Sequence, residues 1–517
     1  MKAIVRSARA GWAIGLACLL AACSGDDDNV PPAPTPTPPA AQLCADLAGK
    51  TIGGATISAT NIVAAAGTVP EYCNVIAKIP PKLNFEARLP SQWNGKLHYN
   101  GGGGFNGMMT PPSADALSKG FADVGSDSGH SADPFTANWA LDDQTALVNF
   151  AFASVPTVTN ATREILKVRY GKDADRSYFE GCSNGGREAL MMAQRYPAQF
   201  DGIISRAPAY NFTGLLMAFN RTAKALAAPG GAFTSGKVAT LAGAVRTACD
   251  AQDGVADGVV SNPQACTFNP ATLRCAGGTD TGDSCLSDAQ LAVVQSWTTD
   301  FSLSSGNFFL NTGWALSGNE DGLFAWPAWV TGANGDPSTS VQFGFQLGMV
   351  RFMLNKDPAL NTLTYDPNAN PGAVMSLSAL LDATDPELTS FRARSGKLIL
   401  WHGENDSAIS YRGTVRYYTQ AVNAAGGQAN ADPFLKLYLA PGVDHCAGGP
   451  GADTVDLLAA LDAWVTTGTA PGDLTATKAD ENGNPVLSRP LCRYPNYPRY
   501  NGSGDVNAAS NFTCTAP

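Results

Sequence analysis

Charge is scarce in this sequence, and the little that is present is mostly acidic. Only 15% of the 517 residues are charged, the formal net charge is -10, and there are four histidines. An acidic surface repels phosphate, so we expect no nucleic-acid partner. The sequence has no CxxC zinc spacing and no internal repeat, and 44% of its residues are hydrophobic. This composition excludes global disorder and predicts one large domain or a domain with a substantial insertion.

Long hydrophobic runs are also lacking. The N-terminal apolar run, residues 10–20, is too short to span a bilayer as a mature helix. It follows basic residues, which predicts a signal peptide over residues 1–22. The small residues before Cys23 resemble the bacterial lipobox, so we expect lipid attachment at Cys23 and membrane contact only through that anchor. The alternative is an ordinary signal peptide with an incidental cysteine. The protein is thus expected to be exported, as an outer-membrane lipoprotein or as a periplasmic or secreted protein.

Residues 23–41 are acidic and then proline-rich, which is typical of an extended spacer. The folded part is therefore predicted to begin at Gln42. Export places the chain where disulfides persist. Ten cysteines remain beyond the leader, too many for their number alone to decide the pairing. They are Cys44, Cys73, Cys182, Cys249, Cys266, Cys275, Cys285, Cys446, Cys492 and Cys514.

Past residue 90, short apolar runs alternate with longer amphipathic segments. That alternation predicts an α/β fold, in which crossover helices connect the strands of a parallel sheet. The predicted strands are residues 95–99, 121–124, 176–179, 202–205, 397–401 and 435–439.

A G-x-S-x-G sequence with Ser183 at its centre lies between the predicted strand 176–179 and a predicted helix over 186–196. This is the context of a nucleophile elbow, in which a serine is held exposed on a strained turn. Glycines on both sides of the serine remove side chains where strand and helix crowd each other. The alternative is a plain strand-to-helix turn.

A serine nucleophile needs a base, and only four histidines are available. The α/β-hydrolase order of Ser, acid, His places the base after a late strand, which His445 alone fits. The acid should follow the preceding strand, where Asp406 is preferred and Glu404 is the lesser candidate. His98 lies in a predicted strand. For His130 and His402 we expect no catalytic role, only a hydrogen bond between the imidazole and a neighbouring backbone group.

Two cysteines adjoin the predicted nucleophile and base. Cys182 precedes Ser183 and Cys446 follows His445. If the nucleophile and base are within hydrogen-bond reach, these neighbours can meet the Cα separation that a disulfide needs. Such a bond would hold the nucleophile loop against the base loop; the alternative is chance adjacency.

The glycine run 101–104 follows a predicted strand, as an oxyanion loop does in this fold. Glycines allow backbone N–H groups to approach a carbonyl oxygen. One donor from Gly103 or Gly104 would join the N–H of Asn184. The alternative is a flexible loop.

More than 200 residues separate Ser183 from Asp406, which predicts an inserted lid over residues 211–388. Within it, residues 249–259 carry three carboxylates spaced by small residues. Hard oxygen ligands at such spacing suit calcium, although the segment lacks the EF-hand pattern. The alternative is an acidic surface turn.

Three segments resemble the tannase and feruloyl esterase family of α/β-hydrolases. They are GCSNGGREALMMAQRYPAQFDGIISRAPA at 181–209, DHC at 444–446, and the ending RPLCRYPNYPRYNGSGD with NFTC at 489–514. The resemblance covers nearly everything after residue 44. It implies an α/β-hydrolase catalytic domain over 42–210 and 389–517, with the lid between.

The same resemblance implies roles for individual residues. The triad would be Ser183, Asp406 and His445. Calcium would be bound in the lid, structurally, by the side chains of Asp250, Asp253 and Asp257 and the carbonyls of Val255 and Val259. The implied disulfides are Cys44–Cys73, Cys182–Cys446, Cys249–Cys266, Cys275–Cys285 and Cys492–Cys514.

Members of the family cleave esters of aromatic acids, so the expected substrates are feruloyl, other hydroxycinnamoyl or galloyl esters, small or attached to plant polysaccharide or tannin. Alternatives are a mono(2-hydroxyethyl) terephthalate-type or other aryl ester hydrolase, a transacylase, and a surface binding lipoprotein without catalysis. Arg351 could pair with a substrate carboxylate or lie solvated. Aromatic residues of the lid could hold an aryl group or form lid core; they are Phe308, Phe309, Trp314, Phe324, Trp326, Trp329, Phe343, Phe345 and Phe352.

Overall fold

A computed structural model describes residues 39–304 and 308–517 of the chain. The predicted signal peptide, the lipidated Cys23 and nearly all of the predicted spacer lie outside the described residues. Residues 40–517 form one compact unit. The boundaries between the catalytic domain and the lid stay a prediction. In the described part of the chain, none of the helices combines the length and apolarity that crossing a bilayer would take.

Ten of the strands form one large sheet, and the others form three two-stranded ribbons. The strands are β1 (Thr51–Ile52), β2 (Ala55–Val63), β3 (Tyr72–Ile79), β4 (Leu83–Pro90), β5 (Lys96–Asn100), β6 (Ala122–Ser126), β7 (Arg176–Cys182), β8 (Gly202–Arg206), β9 (Phe301–Ser302), β10 (Phe309–Asn311), β11 (Lys397–Gly403), β12 (Leu435–Ala440), β13 (Leu474–Ala479), β14 (Pro485–Leu491), β15 (Tyr497–Tyr500) and β16 (Phe512–Thr515).

The α-helices are α1 (Ala40–Ala45), α2 (Ala114–Ser118), α3 (Gln144–Val148), α4 (Ser154–Tyr170), α5 (Asn184–Arg195), α6 (Phe212–Ala227), α7 (Ser235–Cys249), α8 (Asp288–Thr298), α9 (Trp326–Trp329), α10 (Val341–Gly348), α11 (Pro371–Leu381), α12 (Thr389–Ala393), α13 (Tyr411–Ala424), α14 (Gln428–Ala431) and α15 (Leu457–Thr467). Wider π-helical turns over Asn149–Ala153 and Met349–Leu354 continue α3 and α10.

The large sheet has the strand order β1-β2-β3-β4-β6-β5-β7-β8-β11-β12. The strands from β6 to β12 in this order run parallel, as predicted, and Ile399 of β11 pairs with Ile204 of β8. The strands β1 to β4, together with the β4–β6 pair, are antiparallel and were not predicted. The sheet is therefore mixed, with the parallel part forming the α/β-hydrolase core. The carboxyl ends of parallel strands meet at one edge, which is where ligand sites of open α/β sheets form.

Alternate side chains of the parallel strands enter two hydrophobic cores. Phe179 and Ile203 face one core, to which α4, α5 and α13 contribute. Their neighbours Tyr178 and Ile204 face the other, closed by α15 and β14. Successive side chains of a strand point to opposite faces of the sheet. Because both sets are apolar here, the parallel sheet is buried on both faces.

The predicted insertion, residues 211–388, contributes most of a third core, built from α6, α7, α8, α10 and α11. Phe105 of the glycine-rich loop and Ile409 after β11 also belong to it. Because these two residues follow parallel strands, the third core covers the carboxyl edge of the sheet.

Candidate active site

The G-x-S-x-G turn adopts the strained geometry of a nucleophile elbow. Ser183 lies between β7 and α5 with φ 64° and ψ -121°, a conformation that side-chain-bearing residues rarely adopt. A Cβ on Gly181 would lie 2.6 Å from the carbonyl of Gly185, and one on Gly185 would lie 2.7 Å from the carbonyl of Gly102. Both glycines are therefore sterically required for the turn. The backbone N–H of Ser183 donates to the carbonyl of Arg206 at 3.1 Å.

Asp406 and His445 follow the neighbouring strands β11 and β12 and are hydrogen-bonded at 2.8 Å, from Nδ1 of the imidazole to Oδ2 of the carboxylate. The other oxygen of Asp406 accepts the backbone N–H groups of Ala408 and Ile409, each at 2.8 Å. Burial raises the pKa of Asp406, but the charges and hydrogen bonds of His445 and His402 outweigh it and hold that pKa well below its usual range.

Glu404, the lesser candidate for the acid, is also buried, but among the described residues no hydrogen bond joins it to His445. Burial raises the pKa of its carboxyl well above the usual range, opposite to the effect at Asp406. The geometry thus pairs the histidine with Asp406 and leaves Glu404 aside.

His402 has more contacts than we predicted. Its Nε2 lies 3.1 Å from the carbonyl of Ile409, the expected backbone partner, and also 3.1 Å from Oδ2 of Asp406. Its Nδ1 lies 2.7 Å from the hydroxyl of Thr414. His130 behaves as predicted, with Nε2 3.0 Å from the carbonyl of Phe105.

A disulfide between Cys182 and Cys446, with a Cα separation of 6.0 Å, joins the Ser183 loop to the His445 loop. Among the described residues no hydrogen bond joins Ser183 to His445, and this disulfide is a covalent link between their loops. Catalytic hydrogen bonds are often long until substrate binds. The other four implied disulfides are also present: Cys44–Cys73, Cys249–Cys266, Cys275–Cys285 and Cys492–Cys514.

The glycine-rich loop after β5 presents backbone N–H groups beside the elbow. Those of Gly103 and Gly104 have no acceptor in the described part of the chain. Asn184 is the first residue of α5, so its N–H has no acceptor within the helix. The other N–H groups of the loop already have acceptors; they belong to Gly101, Gly102, Phe105, Asn106 and Gly107.

A row of alternating charges crosses five adjacent strands next to the elbow. Arg88 of β4 pairs with Asp123 of β6 at 3.2 Å, and Asp123 with His98 of β5 at 2.8 Å. His98 lies 3.7 Å from Glu180 of β7, which pairs with Arg206 of β8 at 2.6 Å. Burial lowers the pKa of His98, but the two carboxylates outweigh it and raise that pKa to about 9. The row is therefore held together by an imidazolium at neutral pH.

An apolar pocket with a cavity volume of about 30 Å³ opens beside Ser183, and Gly104 and Asn184 also line it. Among the residues that line it, none carries a charge. Trp329 and Phe345 are the two predicted lid aromatics found there, and Trp329 also meets the imidazole of His445 edge-on, with ring centres 5.1 Å apart. Ile409 also lines the pocket, and lining residues that we did not predict are Ala209, Phe212, Leu215, Leu216, Phe219 and Ala408.

The remaining predicted substrate residues lie elsewhere. Trp314 and Trp326 are buried in the third core, and Phe324 is exposed. Arg351 donates from Nε to the carbonyl of Leu360 at 2.9 Å and does not line the pocket. Phe308, Phe309, Phe343 and Phe352 are likewise absent from its lining.

The predicted calcium loop leaves two buried carboxylate oxygens without a hydrogen-bond donor, Oδ1 of Asp250 and Oδ2 of Asp253. Such orphaned oxygens fit a hard cation. Asp257 instead pairs with Arg489 at 2.6 Å. Within residues 39–304 and 308–517 no three His, Cys, Asp or Glu side chains cluster as metal ligands. Side chains alone therefore do not complete a calcium shell here, and backbone carbonyls would have to contribute.

A family model described as tannase and feruloyl esterase matches residues 67–515. The mono(2-hydroxyethyl) terephthalate hydrolase of Piscinibacter sakaiensis is 34% identical over 88% of this chain and 86% of its own length. A probable feruloyl esterase of Arthroderma benhamiae is 34% identical over 82% of this chain and 81% of its own. Feruloyl esterase B from Aspergillus oryzae shares the fold, with a TM-score of 0.81 at 22% identity over 92% of this chain and 100% of the other. This protein therefore belongs to the tannase and feruloyl esterase family and is a carboxylic ester hydrolase.

Proposed function

We propose that this protein is a serine esterase that hydrolyses esters of uncharged aromatic acids, with Ser183, His445 and Asp406 as its catalytic triad. The observation that carries the proposal is the pocket beside Ser183, whose lining is mostly apolar and has no charged residue. An aryl acyl group buries well among such side chains.

The mechanism follows from the positions of the donors and acceptors. Asp406 accepts the Nδ1–H of His445, which leaves the lone pair of Nε2 free to take the proton of Ser183 as its oxygen attacks the ester carbonyl. The N–H groups of Asn184 and of Gly103 or Gly104 stabilise the oxyanion. His445 then gives the proton to the leaving alcohol. Water, activated by His445, releases the acid from the acyl-enzyme in the second step.

The lining of the pocket separates the candidate substrates. Mono(2-hydroxyethyl) terephthalate carries a free carboxylate on its acyl ring, and burying an unpaired carboxylate in an apolar pocket is costly. A galloyl group carries three hydroxyls that need hydrogen-bond partners, whereas a feruloyl group carries one hydroxyl and one methyl ether. The apolar lining therefore favours feruloyl and similar hydroxycinnamoyl esters, and the terephthalate monoester is the second candidate because of the Piscinibacter sakaiensis relative.

The test compares kcat/KM on methyl ferulate, methyl gallate, mono(2-hydroxyethyl) terephthalate and 4-nitrophenyl butyrate, with Ser183→Ala as control. We expect Ser183-dependent hydrolysis, highest on methyl ferulate. Preference for the terephthalate monoester would overturn the uncharged-acyl assignment, and hydrolysis of the butyrate alone would overturn the aromatic one. Folded protein without activity or fluorophosphonate labelling would support a binding lipoprotein. Ester products formed with a competing alcohol would identify a transacylase.

Export through the signal peptide and lipid attachment at Cys23 are a separate proposal. Five disulfides support an oxidising destination. The test expresses the full chain in a bacterium with labelled palmitate. We expect label in the wild type and none in Cys23→Ala, which should also leave the membrane fraction. Unlabelled, soluble wild-type protein would point to an ordinary signal peptide.

Calcium binding in the loop 249–259 is proposed on the strength of the orphaned oxygens of Asp250 and Asp253. Asp250, Asp253 and Asp257 would hold the ion with the carbonyls of Val255 and Val259, in a structural role. We expect added calcium to raise the Tm of the protein and Asp253→Asn to abolish that rise, with the Tm in EDTA nearly unchanged by the substitution. An equal calcium response in Asp253→Asn would contradict this site.

A further inference from the structure

Glu188 is a buried carboxylate beside the active site that the mechanism above does not use. It lies on α5, one helical turn after Asn184, and only 4% of its surface is exposed. Buried carboxylates are costly unless their oxygens accept hydrogen bonds. The contacts of Glu188 therefore indicate what it is there to hold.

One set of contacts leads to the glycine-rich loop. Oε2 of Glu188 accepts the backbone N–H of Gly102 at 3.0 Å, and Oε1 accepts the side-chain amide of Asn106 at 2.7 Å. Gly102 and Asn106 flank Gly103 and Gly104, the two residues whose N–H groups have no acceptor in the described chain. One carboxylate thus fixes both ends of the two-residue donor segment.

Asn106 also ties the segment together internally. Its backbone N–H donates to the carbonyl of Gly103 at 2.8 Å, and it adopts a positive φ of 51°. The amide of Asn106 additionally contacts the hydroxyl of Ser128. The orientation of the peptides at Gly103 and Gly104 therefore depends on where Glu188 holds Asn106.

The second set of contacts leads to the elbow. The side-chain amide of Asn184 donates to Oε1 of Glu188 at 3.3 Å and to Oδ1 of Asn106 at 3.0 Å. Nε of Arg187 donates to Oδ1 of Asn184 at 2.6 Å. Asn184 contributes the other N–H of the predicted oxyanion hole, so both halves of the hole meet at one carboxylate.

We infer that Glu188 is the positioning residue of the oxyanion hole, holding the N–H groups of the glycine-rich loop and of Asn184 at a fixed separation. This rests on the proposed serine-esterase function. Glu188 touches neither Ser183 nor the pocket, so it acts through Gly102, Asn106 and Asn184.

The chemistry of the three contacts makes the prediction specific. All three partners are N–H donors, and a carboxylate is an acceptor on both oxygens. In Glu188→Gln, one oxygen becomes an NH₂ group, so either Gly102 or the Asn106 and Asn184 pair faces a donor instead of an acceptor. Glu188→Asp keeps both acceptors but withdraws them by one methylene.

The experiment measures kcat and KM on methyl ferulate, inhibition by an aryl boronic acid, and Tm. The boronate forms a tetrahedral adduct with Ser183 whose oxygen occupies the oxyanion hole, whereas an unreactive ferulamide reports ground-state binding only. For Glu188→Gln we expect kcat to fall about 10- to 100-fold and boronate affinity to fall by a similar factor. KM and ferulamide affinity should stay within about threefold, and Glu188→Asp should lie between.

Glu164→Gln, at an exposed position on α4, is the matched control and should behave as wild type. If Glu188→Gln does not fold, Asn106→Gly keeps the positive φ while removing the amide that Glu188 holds. This variant should likewise lower kcat and leave KM nearly unchanged.

Wild-type kcat and boronate affinity in folded Glu188→Gln would overturn the inference. A variant in which ferulamide affinity falls by as much as kcat, and Tm falls too, would also overturn it. If Ser183→Ala retains full activity, the proposed function fails instead, which distinguishes the two.

Discussion

His402 and Asp406 are joined by a 3.1 Å contact between Nε2 and Oδ2, the same carboxylate oxygen that accepts from His445. Both neighbours of Nε2, Asp406 and the Ile409 carbonyl, are acceptors, so this nitrogen carries the hydrogen. The Thr414 hydroxyl lies 2.7 Å from Nδ1 of the same ring. Besides His445, Asp406 accepts from His402 on Oδ2 and from the backbone N–H groups of Ala408 and Ile409 on Oδ1. These donors stabilise the carboxylate form of Asp406 and hold its orientation.

Replacing His402 should test that arrangement. His402→Phe removes a donor to a buried carboxylate, and hydrogen bonds to charged groups contribute about 1.5–3 kcal/mol. We expect kcat to fall about tenfold, while the amide of His402→Gln supplies a replacement donor and should keep activity within about threefold. Steady-state kinetics on methyl ferulate measure both, and equal losses in the two variants would show that His402 has only a packing role.

The disulfide beside Ser183 and His445 predicts a link between covalent structure and rate. The bond closes a loop of 264 residues, and in the chain-entropy model loops of this size contribute roughly 5–6 kcal/mol. We expect the double variant Cys182→Ala, Cys446→Ala to lose stability and at least tenfold in kcat, because the loops of Ser183 and His445 are then free to separate.

The lid disulfide Cys275–Cys285 is the control for this experiment, since it spans only 10 residues within the predicted lid. Its double alanine variant should keep kcat within about threefold of wild type. If both double variants lose kcat alike, the Cys182–Cys446 bond has no special role in holding the two loops.

Two neighbouring glycines of the proposed oxyanion loop should respond differently to the same change. Gly104 has a φ of 56°, and a Cβ there would lie 2.3 Å from the carbonyl of Pro134, whereas a Cβ on Gly103 meets nothing within 4 Å. Gly104→Ala must displace the loop, so kcat should fall about 10²–10³-fold, as for loss of an oxyanion donor. Gly103→Ala should keep KM and most of kcat. Kinetics on one ester compare them, and a larger loss at Gly103 would contradict the geometry.

The charge row across the sheet predicts how stability depends on pH. The folded pKa of His98, about 9, is above its usual 6.5, so its contribution is complete below about pH 6.5 and is lost as pH rises through about 9. The shift corresponds to at most about 3 kcal/mol. Denaturant unfolding at pH 6.5 and 9.5 should show this loss in wild type, and His98→Gln, which stays neutral, should lack it. An equal pH slope in both proteins would exclude His98 as the cause.

Part of this architecture is readable in the sequence because its signals are local. The apolar runs at 176–179 and 202–205 become β7 and β8. The G-x-S-x-G glycines encode the elbow through a steric requirement that operates within a few residues. The strands β1 to β4 were not predicted, although the alternating burial of Ala55 and Ile57 in β2 is a strand signal, because no chemical motif drew attention to that part of the chain.

The missed parts of the site depend on contacts between distant segments. Phe212, Leu215, Leu216 and Phe219 follow the i, i+3, i+4, i+7 spacing of one helix face, so the sequence carried a signal for an apolar stripe. It could not reveal that this stripe faces Ser183, since that follows from how the insertion lies over the sheet. The second contact of His402 likewise requires knowing that the chain turns back after β11.

The Cys182–Cys446 bond also sets when activity can arise. During synthesis the nucleophile loop is made 264 residues before its disulfide partner, so the two loops cannot be joined until most of the chain exists. Thiols stay reduced in the bacterial cytosol and oxidise outside it. Under the export proposed above, a newly made chain lacks the covalent link between its Ser183 and His445 loops until it has left the cytosol, so we expect full esterase activity to arise only outside it.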